Sequence, residues 1–386
     1  MDGGNALHRN REWPATGLPQ ARVTAAVVAK GLAETGIDAM ALGGHDWWLG
    51  TEFVQALVRE HSLPILAANL TCDGTAPFPG GVVVERGALR FAVVGVTTGE
   101  PQGCEVGDPR VLAESALAGL GEVDVAVLLA PEGEAALEAW GASQSAFDLV
   151  VVGDSDIPST TSVPWGDGWR VQSGSRGKQV GVATIEPVSG GHGLTRTGEG
   201  ATPTAGAHVL STRLIALAEA LREDPDIAAI VADGKVRIAE TEAAPARPID
   251  SVARRVASGS AYAGRDTCAG CHAQADAQWQ TTSHAHAWTT LDAAGRGLDR
   301  SCVGCHVTGW EQDGGPQEPA AIGAFRDVQC EVCHGPSAAH VADPATIKPV
   351  RSPSVTVCTT CHDGERDGGQ FDAETYMPRI HHGHAE

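Results

Sequence analysis

Four copies of one short motif, Cys-x-x-Cys-His, occur in the last third of the chain and restrict how that part can fold. They begin at Cys268, Cys302, Cys330 and Cys358, at intervals of 34, 28 and 28 residues. In this motif two thiols bond to the vinyl groups of a haem, and the histidine binds the iron. A zinc site built from Cys-x-x-Cys pairs needs no histidine after each pair, and a thioredoxin-like pair occurs once. The repeats therefore predict four covalently attached haems c.

The predicted haem-binding residues are the cysteines and histidines of these motifs. The thioether cysteines are Cys268, Cys271, Cys302, Cys305, Cys330, Cys333, Cys358 and Cys361. The proximal iron ligands are His272, His306, His334 and His362. Periodic apolar segments are missing after residue 258, which predicts a poor side-chain core. We expect four porphyrins to fill that core, in a mostly helical, loop-rich multiheme domain.

The sixth ligand of each iron is expected to be histidine in most of the haems. Only Met377 lies in the haem region, so at most one haem can have His/Met ligation. Ten of the fifteen histidines follow residue 258, and those outside the motifs are His284, His286, His340, His381, His382 and His384. This excess predicts bis-histidine ligation and low reduction potentials. A solvent-exposed side chain is the alternative, and it has most weight for His286, His381 and His384.

From residue 21 to about 188, strand-like and helix-like segments alternate, which is typical of an α/β fold. Helices are predicted at 23–33, 52–60, 111–120 and 132–140. Strands are predicted at 63–70, 89–97, 123–129, 147–152 and 180–185, with a short apolar run at 39–42. We expect a loop at 189–205, an amphipathic helix at 208–222 and a tether at 243–256. The predicted domains are 1–200, a helix and linker at 201–258, and the haem domain at 259–386.

Charge and hydropathy exclude two classes of partner. The chain has 27 basic and 48 acidic residues, a net charge of −21. Nucleic-acid binding requires clustered positive charge, so nucleic acid is excluded, and redox partner proteins are expected to be neutral or basic where they dock. No apolar run reaches the roughly 18 residues of a membrane-spanning helix, so no membrane span is expected.

The C-terminal third resembles the tetraheme cytochrome c family linked to hydroxylamine oxidoreductase. The matching segments are the four motifs, Trp279, 283–287, 305–309, 334–336 with His340 and Val341, and 380–383. The resemblance implies that His284 and His340 are distal ligands. It also implies a third distal ligand near the C terminus, where His382 fits best and His381 and His384 are rivals.

The same resemblance implies an electron-transfer protein. The haem of His306 lacks a distal protein ligand in the best-known member of that family. We expect an open position on this haem here too, with a surplus histidine as the alternative. An open iron gives a second hypothesis for the function, namely a redox enzyme that reduces or oxidises a small nitrogen species.

A second resemblance, over residues 2–188, is to the 5′-nucleotidase-type metallophosphoesterases. The matching segments are 36–46, 63–70, 91–98, 148–156 and 171–178. The resemblance implies a calcineurin-like phosphoesterase sandwich, truncated at its start. Enzymes of this type use two metal ions to activate water and hold the phosphoryl oxygens.

Most of the metal ligands that this second resemblance implies are replaced. The replacements are Gly44 for an Asn, Asn5 for the bridging Asp, Pro131 near an expected His, and Asp154 and Asp156 for two His. His45 and Asp46 persist. We therefore expect a catalytically dead scaffold with no catalytic residues. Its carboxylates at 46, 154 and 156 are expected to be solvated, and a single Ca²⁺ or Mg²⁺ site is the alternative.

The expected location is periplasmic or otherwise extracytoplasmic, since haem is attached covalently on that side of the membrane. No basic segment followed by an apolar stretch is visible at the N terminus, so we expect an upstream segment to be missing. In an oxidising compartment Cys72 and Cys104 can form a disulfide. Free thiols are the alternative.

Overall fold

The computed structural model divides into two compact units, Met1–Ala232 and Asp233–Glu386. The first unit consists of strands and helices, and the second of short helices and turns. The residues that the structure describes are 1–8, 17–131, 133–141, 146–153, 158–174, 177–196, 206–217, 221–242, 261–363 and 369–382.

The strands of the first unit form three sheets. They are β1 (Leu70–Cys72), β2 (Gly81–Arg86), β3 (Leu89–Gly95), β4 (Cys104–Val106), β5 (Val125–Ala130), β6 (Leu149–Val152), β7 (Val163–Trp165), β8 (Gly168–Val171), β9 (Gln179–Glu186), β10 (Leu194–Arg196) and β11 (His208–Ala216). The largest sheet has the order β2-β3-β5-β6-β8-β7, with β3, β5, β6 and β8 parallel. A three-stranded sheet has the order β10-β11-β9, and β1 pairs with β4.

Of the helices described here, three precede β1, two lie between strands, and one follows β11 and continues into the second unit. They are α1 (Leu18–Glu34), α2 (Gly44–Trp47), α3 (Thr51–His61), α4 (Pro109–Gly119), α5 (Glu134–Gly141) and α6 (Pro225–Glu242). All six residues of β5 are buried. Leu128 packs in one cluster with Ala113 of α4 and Leu137 of α5, whereas Leu129 packs with Leu210 of β11 on the other face. The large sheet is therefore covered on both faces, as its continuous apolar strands predict.

The predicted α/β fold is confirmed, and three of its predicted elements are corrected. Residues 208–222 were expected to form a helix, but β11 occupies His208–Ala216 and pairs with β9 over eight positions. Its β-branched side chains favour a strand once neighbours are available on both edges. The expected strand at 63–70 is reduced to an isolated bridge between Ile65 and Met40 and to Leu70, the first residue of β1. The expected loop at 189–205 contains β10, and the expected tether at 243–256 lies outside the described residues.

The second unit has a small side-chain core. Its helices are α7 (Arg265–Ala269), α8 (Ala273–Trp279), α9 (Ala287–Ala293), α10 (Arg300–Val303), α11 (Cys330–His334), α12 (Ala338–Ala342), α13 (Val355–Cys358) and α14 (Ala373–Ile380). The buried apolar cluster consists of Tyr262, Leu291, Val303, Val307, Ile322 and Phe325. Large apolar side chains at Val341, Ile347, Val350 and Val355 are exposed instead. Among the described residues, no helix combines the length and apolar character needed to cross a membrane.

Cys72 of β1 and Cys104 of β4 form a disulfide. The two strands are antiparallel, and these residues lie directly opposite each other. The structure therefore selects the disulfide from the two alternatives that the sequence left open for these thiols.

We expect the double variant Cys72→Ala/Cys104→Ala to unfold more easily in its first unit. The disulfide joins residues 32 positions apart, and closing a loop of that size removes about 3–4 kcal/mol of unfolded-chain entropy. Denaturant unfolding of the first unit measures the loss. Reductant should produce the same loss in the native protein and none in the double variant. An equal free energy of unfolding in both proteins would contradict the prediction.

Candidate haem-binding site

Each Cys-x-x-Cys-His motif forms a helical turn that places both thiols beside the following histidine. The N–H of His272 donates to the carbonyl of Cys268 at 2.9 Å, and the N–H of His362 donates to that of Cys358 at 2.9 Å. The third motif is itself the helix α11. This local folding gives the spacing that attachment to one porphyrin requires.

Three of the predicted proximal histidines each lie opposite one predicted distal histidine. The ring centroids are 6.3 Å apart for His272 and His340, 6.3 Å for His362 and His284, and 5.5 Å for His334 and His382. Imidazole–metal bonds are about 2 Å long, so two rings on opposite sides of one ion have centroids roughly 6 Å apart. The three pairs therefore fit axial ligation of three haems. The sequence named the distal candidates but did not assign their partners.

Backbone carbonyls fix the orientation of several of these rings. The Nδ1–H of His334 donates to Val350 O at 2.6 Å, and that of His340 donates to Ile347 O at 2.6 Å. A carbonyl can only accept, so the proton lies on Nδ1 and leaves Nε2 for a metal. Metal-binding histidines commonly have this second contact. The residues that provide it lie on loops, and no sequence pattern singled them out.

The environment of His284 favours the neutral imidazole. Burial lowers the pKa of His284, and the nearby His362 lowers it further. Neutral imidazole is the form that binds a metal. The electrostatics of this pair therefore agree with its geometry.

His306, in the second motif, has different surroundings. Its Nδ1–H donates to Ala287 O at 2.5 Å, and Thr290 Oγ1 lies 3.3 Å from the same nitrogen. Within the described ranges, no second imidazole makes a ring contact with His306. His286 lies on the turn that carries His284, and His384 is outside the described residues.

Helix contacts show which motifs are neighbours. The third motif, α11, packs against α7, which contains Cys268 of the first motif. It also packs against α13, which ends at Cys358 of the fourth motif. The third motif is therefore adjacent to the first and the fourth.

Two consecutive backbone amides join the second motif to the fourth site. The N–H of Asp327 donates to His306 O at 3.0 Å, and that of Val328 donates to His284 O at 3.1 Å. Trp279 Nε1–H donates to Val328 O at 2.8 Å. The segment before the third motif thus holds histidines of two other sites in place.

In the first unit, Asp46 is completely buried. Its carboxylate accepts hydrogen bonds from the N–H groups of Asn5, Leu7, His8 and Gly43 at 2.9–3.0 Å. Burial raises the pKa of Asp46 to about 7, although these donors oppose the change. The expectation of a solvated carboxylate is therefore wrong for Asp46, whose oxygens bind the N-terminal segment.

Other positions implied by the phosphoesterase resemblance also lie near Asp46. The Asn5 side-chain oxygen accepts from the N–H of His45 at 3.1 Å. Pro131 lies so close to Gly4 that a Cβ there would come within 2.6 Å of the proline ring. The described residues contain no cluster of three or more His, Cys, Asp or Glu able to hold a metal ion. Asp154 and Asp156 lie outside the described residues.

Comparisons with known proteins address each unit separately. Residues 267–335, which include the first three motifs, match the family model "Cytochrome c554 and c-prime". Cytochrome c-554 of Nitrosomonas europaea is 32% identical over 96 residues, which are 21% of this chain and 41% of that protein. The chain therefore spans less than half the length of this relative.

Among solved structures, the sulfate thiohydrolase SoxB of Thermus thermophilus in complex with glycerol has a TM-score of 0.50 at 21% identity. The match covers 64% of this chain and 44% of that one. A 5′-nucleotidase precursor, also from Thermus thermophilus, has a TM-score of 0.45 at 20% identity, covering 60% and 48%. Residues 267–335 are thus similar to the cytochrome c554 family, and the N-terminal half has an α/β fold similar to that of the sulfate thiohydrolase.

Proposed function

We propose that this protein is a c-type cytochrome that carries electrons through four covalently bound haems. The main support is that three motif histidines each lie opposite another histidine, at the separation that axial ligation requires. In this proposal the eight motif cysteines form the thioethers. The proximal ligands are His272, His306, His334 and His362. The distal ligand is His340 for the first haem, His382 for the third and His284 for the fourth.

The haem iron supplies reversible one-electron chemistry, and the chain holds the haems close enough to exchange electrons. The packing of α11, the third motif, against α7 of the first motif and α13 of the fourth supports a continuous path. The hydrogen bonds of Asp327 and Val328 extend this support to the second motif. Val341, Ile347, Val350 and Val355 are apolar side chains suited to covering porphyrin faces.

The proposed setting is the periplasm or another extracytoplasmic compartment. The disulfide between Cys72 and Cys104 is consistent with an oxidising environment. The net charge of −21 favours redox partners whose docking face is neutral or basic.

We propose that the first unit is a docking or scaffold module without phosphoesterase activity. Its support is Asp46, whose carboxylate oxygens are used by four backbone donors. The proposed domains are 1–200 for this module, 201–258 for a connecting segment and 259–386 for the tetraheme domain. Within the second unit, the buried ion pair of Arg300 with Glu242, at 2.9 Å, joins the end of α6 to α10.

A second candidate function rests on His306. The absence of a facing imidazole among the described residues favours an open iron position on the second haem. Such a position permits binding of a small nitrogen species and its reduction or oxidation.

Four haem additions are expected in the mass of the mature, denatured protein, since thioether bonds survive denaturation. The matched control is Cys358→Ala/Cys361→Ala, which should lose one addition and retain three. Fewer than four additions on the fully matured native protein would contradict the proposed haem count.

Replacing His284 with Ala should convert one low-spin haem to high spin and raise its reduction potential, because a strong axial ligand is lost. Electron paramagnetic resonance and a redox titration detect the two changes. His286→Ala, on the same turn, is the control and should leave the spectrum unchanged. The reverse pattern would transfer the ligand assignment to His286.

The second haem should give one high-spin signal in the oxidised protein, and the reduced protein should take up one equivalent of NO. The reason is that His306 faces no second imidazole in the described part of the chain. In the His306→Ala variant this high-spin signal should change its shape, since the iron loses its protein ligand. Four low-spin signals without NO uptake would contradict the open site and the enzymatic alternative.

The purified protein should hydrolyse neither an aryl phosphate nor AMP with added Mn²⁺. Too few metal ligands remain for a two-metal mechanism. Steady-state phosphate release is the measurement, with His45→Ala as the control. Metal-dependent turnover that His45→Ala abolishes would contradict the scaffold proposal.

A further inference from the structure

Glu331 is a buried carboxylate between the two cysteines of the third motif. Its exposed fraction is 3%. Its Oε1 accepts from the N–H of Ala263 at 2.9 Å and of Ser337 at 2.8 Å, and its Oε2 accepts from the N–H of Gly264 at 2.8 Å. Three backbone donors from two other segments therefore meet on one side chain. The proposed ligand set gives this side chain no role.

The donors belong to the two segments that carry the axial histidines of the first haem. Ala263 and Gly264 directly precede α7, which contains Cys268. The first motif begins at this cysteine and ends at His272. Ser337 is the N-cap residue of α12, which carries His340. The Glu331 carboxylate thus links the starts of both segments to the third motif.

Neighbouring contacts reinforce this junction. The side-chain oxygen of Gln329 accepts from the N–H of Arg265 at 2.7 Å. The N–H of Ala338 donates to Ala261 O at 3.0 Å. Several hydrogen bonds therefore join the third motif to the segments of the proximal and distal histidines. Glu331, within the third motif, contacts both of these segments.

The charge of Glu331 acts on its surroundings. Burial raises the pKa of the Tyr262 phenol, and the negative charge of Glu331 raises it further. Charges interact more strongly in a buried, low-dielectric environment than in water. A fixed negative charge favours the more positive, oxidised state of a nearby iron and so lowers its reduction potential.

We propose that Glu331 is a positioning residue that fixes both axial histidines of the first haem beside the third haem and, through its buried charge, lowers the reduction potentials of these two haems. This proposal rests on the proposed tetraheme function. The side chain binds neither iron nor porphyrin in it, and acts through the backbone of the ligand segments.

The charge is tested with Glu331→Gln in the haem-loaded full chain. This variant keeps the size of the side chain and an oxygen acceptor but removes the charge. We expect two of four potentials to rise, by a tenfold shift of each reduction equilibrium, which is about 59 mV for one electron. The control is Glu318→Gln, an equal charge change at an exposed residue, which should leave all four potentials unchanged. If Glu331→Gln, like Glu318→Gln, left all four reduction potentials at their native values, the electrostatic role would be overturned.

The positioning role is tested with Glu331→Ala, which leaves three buried N–H donors without their acceptor. We expect one low-spin haem to become high spin, since His340 and His272 lose their common support, whereas Glu331→Gln stays low spin. Retention of every low-spin signal in Glu331→Ala would overturn the positioning role. If Glu331→Ala does not mature, the Gln variant decides by its potentials. The haem count of the native protein is measured first, and a count below four would overturn the proposed function instead.

Discussion

In the second unit, pairs of histidine rings lie opposite each other at the separation that one metal ion between them requires. We propose that the fold of this unit depends on these pairs. Its helices are short, its apolar cluster is small, and several large aliphatic side chains are exposed. Each histidine pair joins segments far apart in the chain, as His284 and His362 do. In the proposed holoprotein these joints, together with the porphyrins between them, replace the apolar core that an ordinary domain of this size builds from side chains.

Carbonyl contacts and buried acids determine how those histidines are presented. The Nδ1–H bonds of His334 and His340 fix which ring nitrogen is available. Glu331 and Asp46 are used similarly in the two units, since each buried carboxylate gathers backbone N–H groups from separate segments. Neither acid has the solvated position that an acidic chain of net charge −21 suggests for most of its carboxylates.

The sequence predicted those parts of the structure that local chemistry determines. The motif spacing named the attachment residues, and continuous apolar runs placed strands such as β5 (Val125–Ala130). The sequence prediction failed at His208–Ala216. The amphipathic pattern there predicts a helix, but the segment pairs as a strand with β9 and β10. The sequence also could not match distal to proximal histidines, because pairing over dozens of residues leaves no local pattern. Glu331 was missed because a glutamate inside the motif has no signature until its donors are known.

We propose that three histidine pairs, and one proximal histidine that faces no imidazole among the described residues, define four iron positions. An anomalous difference map at the iron absorption edge, from crystals of the haem-loaded protein, tests it most directly. The account predicts four iron peaks, one between the rings of each pair (His272 with His340, His334 with His382, His362 with His284) and one bound by His306 alone. Fewer than four peaks, or an iron bound by histidines from two different pairs, would contradict it.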